Sequence, residues 1–122
     1  MNLQAKYVFI FNSIIALIFG LGFMFMPDIL MTMIGFSSGA DGPTAFRFFG
    51  ISVFGACILT FLVRNEDSST ARKAIMITQV INFVLINVFL LIFGDITNLM
   101  LWFTFIIHIL MIIAYVYILI QK

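Results

Sequence analysis

The chain has 122 residues, of which 64% are hydrophobic and only 9% are charged. Soluble globular domains carry about 25% charged residues, so this composition excludes a soluble domain and requires lipid or partner subunits to cover the apolar surface. The formal net charge of +1 gives no reason to expect nucleic-acid binding. Residues 1–122 are therefore expected to form a single membrane domain.

Four stretches of the chain contain no Asp, Glu, Lys or Arg: 7–27, 48–63, 74–94 and 96–121. Each approaches the ~20 apolar residues that a helix needs to cross the ~30 Å hydrocarbon core of a bilayer. Because the last two connections are short, consecutive helices are expected to run antiparallel. The predicted fold is all-α, with four transmembrane helices in an antiparallel up-down-up-down bundle.

The first span is predicted over residues 7–26 and stops at Pro27. Its apolar region is longer than the roughly 7–15 residues of a signal-peptide core, and no small-residue cleavage site follows, so it is expected to be a retained helix. Residues 27–36 are too few to cross the bilayer. They are predicted to form a short helix at the interface, with Asp28 in its first turn.

The remaining spans are predicted over residues 44–63, 70–93 and 97–120. Span two is long enough only if Arg47 lies within its first turn, where the side chain can snorkel to the interface. Polar residues before spans three and four supply candidate helix N-caps. These are Asp67, Ser68 or Ser69 for span three, and Asp95 or Thr97 for span four.

The basic residues predict the orientation of the bundle. Arg47 lies alone on one side of the membrane, and the other five lie on the opposite side: Lys6, Arg64, Arg72, Lys73 and Lys122. Cytoplasmic segments carry the excess of Lys and Arg in membrane proteins. Both termini are therefore expected in the cytoplasm, with the protein in the plasma or inner membrane.

Polar side chains within the spans are the candidates for ligand binding. Gln79 and Asn82 share one face of span three, and His108 lies in span four. One interpretation is hydrogen bonding between helices, at ~0.6–2 kcal/mol per bond. The other is a polar cavity in the membrane that binds a quinone, a lipid headgroup or a small solute. His108 is the only histidine, so a haem held by two histidines would need a second subunit, and no cofactor is expected.

Methionines cluster around the end of span one and the interfacial helix. Their thioethers suit Cu(I), so a copper site is one hypothesis. Against it, residues two apart on a helix point to nearly opposite sides, and methionine is an ordinary filler of apolar surfaces. The residues concerned are Met24, Met26, Met31 and Met33.

Small residues four apart are typical of closely packed membrane helices. Ala16 and Gly20 have this spacing in span one, and Ser52 and Ala56 have it in span two. Spans one and two are therefore expected to form a tightly packed pair.

Arg47 has two interpretations at the outer interface. It either anchors span two by snorkelling, or forms an ion pair with a carboxylate on the same side. A structural role of either kind is favoured over ligand binding. The candidate carboxylates are Asp28, Asp41 and Asp95.

The first half of the chain contains a loose pattern of glycine, proline and arginine. It runs through Gly20-Leu21-Gly22, Pro27, Leu30, Gly35 and Arg47-x-x-Gly50-x-x-x-x-Gly55. In this pattern the chain resembles a broad group of small four-helix integral membrane proteins known as a domain of unknown function. The resemblance implies a similar length and number of spans, and it brings no activity to carry over.

Taken together, these features favour a non-catalytic accessory or stabilising subunit of a larger membrane complex. The connections are short and spans three and four are apolar nearly all round, so the expected partners are other membrane subunits and lipid. The larger complex considered is a copper-dependent enzyme or another enzyme of energy metabolism. The alternative is a small carrier or a binder of a small molecule, lipid or quinone, acting as a homo-oligomer. No pair of nucleophile and general base is visible, so an enzyme is not expected.

Overall fold

The computed structural model describes residues 4–37 and 39–121, and within them every regular element is helical. Four helices of 21 to 24 residues are long and apolar enough to cross a membrane, which is compatible with a multi-pass membrane protein. The predicted all-helical four-span fold is confirmed. The elements are α1 (Ala5–Phe25), α2 (Pro27–Met33), α3 (Gly42–Leu62), a 3₁₀ turn (Val63–Asn65), α4 (Thr70–Phe93) and α5 (Leu99–Ile120).

The four long helices form two pairs. Helix α1 packs mainly against α3, and α4 packs mainly against α5. A smaller contact between α1 and α5 joins the two pairs, whereas α3 makes no substantial contact with α4. The bundle is therefore closed along α1 and α5 and open between α3 and α4.

The buried core lies towards one end of the bundle, where the described chain begins at Gln4 and ends at Gln121; this end is called the terminal face. Phe9 of α1 and Tyr115 of α5 are fully buried there. Their ring centroids are 5.6 Å apart, and Asn12 donates a hydrogen bond from Nδ2 to Tyr115 Oη at 2.8 Å. This contact holds the two pairs together at the terminal face.

A second connection lies at the opposite end, called the α2 face because it carries α2. The backbone carbonyl of Gly35, just after α2, accepts a hydrogen bond from Asp95 N at 3.0 Å. Gly35 has φ +80°, and a Cβ at this position would lie 3.0 Å from Asn98 Cβ. Only glycine fits such a left-handed backbone so close to a neighbouring loop. The turn after α2 is thereby fixed to the α4–α5 connection.

The N-caps of α4 and α5 differ in how well they were predicted. Ser69, which is one of the three predicted candidates, caps α4. Its hydroxyl oxygen accepts a hydrogen bond from Arg72 N at 3.1 Å. The prediction for span four is wrong, because α5 begins two residues later than expected and Asn98 caps it. Asn98 Oδ1 accepts from the backbone N–H groups of Met100 at 2.8 Å and Leu101 at 3.2 Å.

Asp95 instead stabilises the turn that precedes the Asn98 cap. Its Oδ1 accepts hydrogen bonds from the Thr97 hydroxyl at 2.7 Å and the Thr97 backbone N–H at 2.9 Å. Both bonds hold the pKa of the Asp95 carboxyl below its usual range, and the bond from the Thr97 hydroxyl has the larger effect. Asp95 and Thr97 are thus bonded to each other within the turn, which explains why neither caps α5.

Replacing Asn98 with alanine should destabilise the protein by about 1 kcal/mol, the typical loss when a capping side chain is removed. The matched control is Asn65→Ala, because Asn65 is exposed and caps no helix. Unfolding in mixed micelles of a mild detergent and dodecyl sulfate, followed by circular dichroism, measures both. Equal losses in the two variants would contradict the capping role.

Candidate functional site

A cleft of about 360 Å³ lies between the two helix pairs. Residues from all four long helices line it, and we infer that it opens to the surroundings between α3 and α4, which make no substantial contact with each other. Its volume falls within the ~300–1,000 Å³ of typical small-molecule pockets. The polar residues in its lining are Asn12, Ser52, Gln79, Asn82, Thr104 and His108.

Some of these polar groups bond to the protein itself. Asn12 donates to Tyr115, and the Thr104 hydroxyl donates to the Met100 carbonyl one turn earlier at 2.9 Å. Their hydrogen bonds lie within the bundle, and they serve its packing.

Gln79 differs from these because its side chain is only 6% exposed and makes no hydrogen bond to any described residue. Its amide atoms are not among the buried unpaired atoms of the described residues, so they keep surface that a molecule in the cleft could reach. Asn82 lies one turn further along the same helix and also has no bonding partner among the described residues. The α4 wall of the cleft therefore presents amide donors and acceptors that the protein leaves unused.

His108 lies in the α5 wall, and a neighbour on α4 fixes its orientation. Its Nδ1 is 2.9 Å from Asn87 Oδ1, and its ring stacks on Phe83 with centroids 5.0 Å apart. Because Oδ1 can only accept, Nδ1 carries the proton in this arrangement, which leaves the lone pair on Nε2. The imidazole thus offers a hydrogen-bond acceptor alongside the amides of α4.

Asn87 is a site residue that sequence reasoning did not select. It is 5% exposed, and its Nδ2 is buried without a hydrogen-bond partner. A signal was present in the sequence, since Gln79, Phe83 and Asn87 are spaced by four and all three are buried on one face of α4. That spacing predicts that Asn87 faces the bundle together with Gln79.

The electrostatic environment of the cleft is neutral. Among the described residues that line it, none is Asp, Glu, Lys or Arg. In a medium of low dielectric constant a charged ligand without a counter-ion would be strongly disfavoured. The cleft is suited to an uncharged molecule with hydrogen-bonding groups.

A second cavity of about 380 Å³ extends from the cleft towards the α2 face. The two share Phe23, Ile34, Phe49, Ile86, Phe89 and Leu90 in their linings. Phenylalanine rings dominate this extension, with the Phe23 centroid 5.4 Å from those of both Phe46 and Phe49. A largely apolar cleft with several polar side chains in its lining therefore continues into an aromatic extension, an arrangement that suits an amphipathic ligand.

The structure does not pair Arg47 with the carboxylates considered for it. Arg47 is exposed, and among the described residues no carboxylate oxygen lies within 4.0 Å of it. Asp28 and Asp95 are also exposed and line a shared depression on the α2 face that Arg47 does not border. These side chains lie apart from the cleft.

Two glycines, Gly20 on α1 and Gly50 on α3, allow a close approach between these helices. A Cβ built on Gly50 would lie 2.8 Å from the carbonyl oxygen of Gly20. Ala16 and Ala56 line the cleft beside this contact. Ser52 also lines the cleft but remains exposed, with its hydroxyl 3.4 Å from the carbonyl of Phe48.

The methionines of the copper hypothesis differ in burial. Met31 is buried, whereas Met33 on the same short helix is 45% exposed. Met24 is half-buried in α1 and Met26, just after it, is exposed. This division agrees with the opposite directions of residues two apart on a helix, and the copper site stays a prediction.

Comparison of the chain with protein-family models, with curated proteins and with solved structures gives no match. The resemblance to a group of small four-helix membrane proteins therefore depends on the quoted residues alone.

Proposed function

We propose that the protein is a membrane-embedded binding protein for a small, uncharged, lipid-soluble molecule that enters the cleft from the bilayer between α3 and α4. The observation that supports this most directly is Gln79, a largely buried residue in the cleft wall whose amide makes no hydrogen bond to any described residue and keeps accessible surface. A ligand in the cleft that bonded to this amide would supply the hydrogen bonds that the protein does not.

The lining indicates the chemistry of the ligand. Gln79 and Asn82 each offer amide donors and an acceptor, and His108 Nε2 offers an acceptor. A carbonyl or hydroxyl group in a flat or elongated apolar molecule would meet these groups while its body packs against the phenylalanine rings of the extension. Quinones and other neutral isoprenoid or aromatic lipids belong to this class. Among the described residues of the lining, His108 is the only titratable side chain, and we propose binding without catalysis.

The second candidate function is the accessory subunit. The specific observation in its favour is the same open seam between α3 and α4, since a transmembrane helix of a partner could pack there and bond to Gln79 through its own polar side chain. In either role, the basic residues of the terminal face favour a cytoplasmic location for that face in a plasma or inner membrane.

Replacing Gln79 with leucine tests the proposed function, because leucine keeps similar bulk and removes the amide. Protein purified in a mild detergent is extracted with organic solvent, and the bound small molecule is identified and quantified by mass spectrometry. Wild type should retain about one molecule per chain, and Gln79→Leu should retain about tenfold less or lower, since one lost hydrogen bond in a buried site costs about a factor of ten.

The matched control is Thr78→Val, one residue away on α4. Thr78 is exposed and its hydroxyl bonds to the Ala74 carbonyl of its own helix, so this variant should retain the ligand at the wild-type level. Wild-type protein with no stoichiometric small molecule but with a stoichiometric second chain would refute ligand binding in favour of the accessory subunit.

A further inference from the structure

A broad depression of about 1,110 Å³ on the terminal face is lined by four basic side chains, and it is called the basic pocket. The bases come from three separate parts of the chain, the start of α1, the 3₁₀ turn after α3 and the start of α4. They are Lys6, Arg64, Arg72 and Lys73. The fold thus gathers these positive charges in one concave site.

The positive charge of the basic pocket is not neutralised within the protein. Glu66 and Asp67 also line the pocket, yet among the described residues no carboxylate oxygen lies within 4.0 Å of a basic nitrogen. Four bases against two acids leave an excess of two positive charges among the described residues of this lining. An anion is the natural complement.

Neutral groups hold the two arginines in place. Arg72 Nη1 donates to the backbone carbonyl of Glu66 at 2.8 Å, and its Nε is buried without a partner. Arg64 donates to the Phe61 carbonyl, and its guanidinium carbon lies 3.6 Å from the centroid of the Phe61 ring. Both guanidinium groups are therefore positioned while their charges remain available, and Arg72 Nε is a buried donor that still needs an acceptor.

The wall of the basic pocket below these charges is apolar. It consists of side chains from α1, α4 and α5 that continue into the spanning part of the bundle, namely Ala5, Met76, Ile118, Leu119 and Ile120. Ala5, Met76 and Ile118 are buried within the bundle, whereas Ile120 is 70% exposed, and a soluble anion would leave this exposed apolar surface uncovered. An anion attached to an acyl chain would cover it, so the pocket is matched to an amphipathic anion.

We propose that the basic pocket binds the phosphate group of an anionic phospholipid from the leaflet at the terminal face. Guanidinium groups suit phosphate because their fork of donors matches its oxygen atoms. Each basic residue near a negatively charged membrane surface contributes to the attraction. This site is separate from the cleft, so it does not depend on the proposed function.

The experiment measures phospholipid binding to the purified protein by native mass spectrometry in a neutral detergent. Phosphatidylglycerol is titrated in parallel with phosphatidylcholine, whose headgroup has no net charge. We expect phosphatidylglycerol to bind tightly, and binding in the double variant Arg72→Gln/Lys73→Gln to be roughly 30-fold weaker, the factor expected for losing two surface cations. Added salt should weaken binding to the wild type.

The matched control is Arg47→Gln, which removes a positive charge at the α2 face and should leave phosphatidylglycerol binding unchanged. Lys6→Gln/Lys73→Gln serves as a second pocket variant, since both side chains are exposed and make no hydrogen bond among the described residues. It should also weaken binding, which keeps the proposal testable if Arg72→Gln/Lys73→Gln does not fold. Gln79→Leu in the cleft should bind phosphatidylglycerol as the wild type does.

Three results would overturn the proposal. Equal binding of phosphatidylcholine and phosphatidylglycerol would exclude recognition of the negative charge. Equal losses in Arg47→Gln and the pocket variants would show an effect of overall charge. Competition by glycerol 3-phosphate at concentrations comparable to the lipid would identify a site for free phosphate esters in place of a phospholipid site.

Discussion

Replacing Gly50 with alanine should destabilise the protein by about 1–3 kcal/mol, the range for over-packing a closely fitted interface. A Cβ at this position would lie 2.8 Å from two backbone atoms of α1, the Gly20 oxygen and the Met24 nitrogen. Backbone atoms cannot rotate aside as the end of a flexible side chain does, so α1 and α3 would have to separate. Unfolding in mixed detergent micelles, followed by circular dichroism, measures the loss.

Gly55→Ala is the matched control because it makes the same change on the same helix. A Cβ on Gly55 meets nothing within 4 Å, and alanine is favoured over glycine inside a helix by up to about 1 kcal/mol. Gly55→Ala should therefore be neutral or stabilising. If both variants lost the same stability, close backbone contact between α1 and α3 would not be what Gly50 provides.

The spans could be predicted from the sequence because charge is excluded from the hydrocarbon core whatever the helices contact. The starts of α4 and α2 follow from equally local signals, a serine cap for α4 and a proline at the first helical position for α2. The start of α5 was missed because three of the four residues before it are polar, and which of them caps the helix depends on the turn that Asp95 and Thr97 form.

The contacts between helices could be predicted only in part. The small residues of span one include Gly20, which does lie at the close approach, but its partners on α3 are Gly50 and the backbone of Phe54, while Ser52 remains exposed. Hydropathy does not identify the inward face of a membrane helix, because lipid and packed protein accept the same apolar side chains. The face of each helix that points into the bundle could be identified only from the three-dimensional packing.

The cleft, too, could be predicted from the sequence only in part. Gln79, Asn82 and His108 were selected as polar residues in apolar spans, and the structure places all three in one lining. The pairing of His108 with Asn87 depends on how α4 and α5 are aligned along their axes, which no local pattern specifies. The opening between α3 and α4 depends on the lack of a substantial contact between these two helices, and that is a property of the whole bundle.

Replacing Tyr115 with alanine should have the largest effect of any single change at the terminal face, a loss of about 3–5 kcal/mol, as for removal of other fully buried aromatic side chains. Tyr115 has no exposed surface, packs on Phe9 and accepts the hydrogen bond of Asn12. It thus links the α1–α3 pair to the α4–α5 pair at this face. Tyr115→Phe keeps the ring and loses only the hydroxyl, so it should cost about 1 kcal/mol.

The control for Tyr115→Ala is Tyr7→Ala, since Tyr7 lies on α1 at the same face and is 61% exposed. Unfolding in detergent measures the free energy of unfolding of the three variants. Distances between spin labels on α3 and α4 report whether the two helix pairs separate. We expect Tyr115→Ala to lengthen and broaden these distances, whereas Tyr7→Ala and Tyr115→Phe should leave them near the wild-type values. If Tyr7→Ala were as damaging as Tyr115→Ala, burial of Tyr115 between the pairs would not be what joins them.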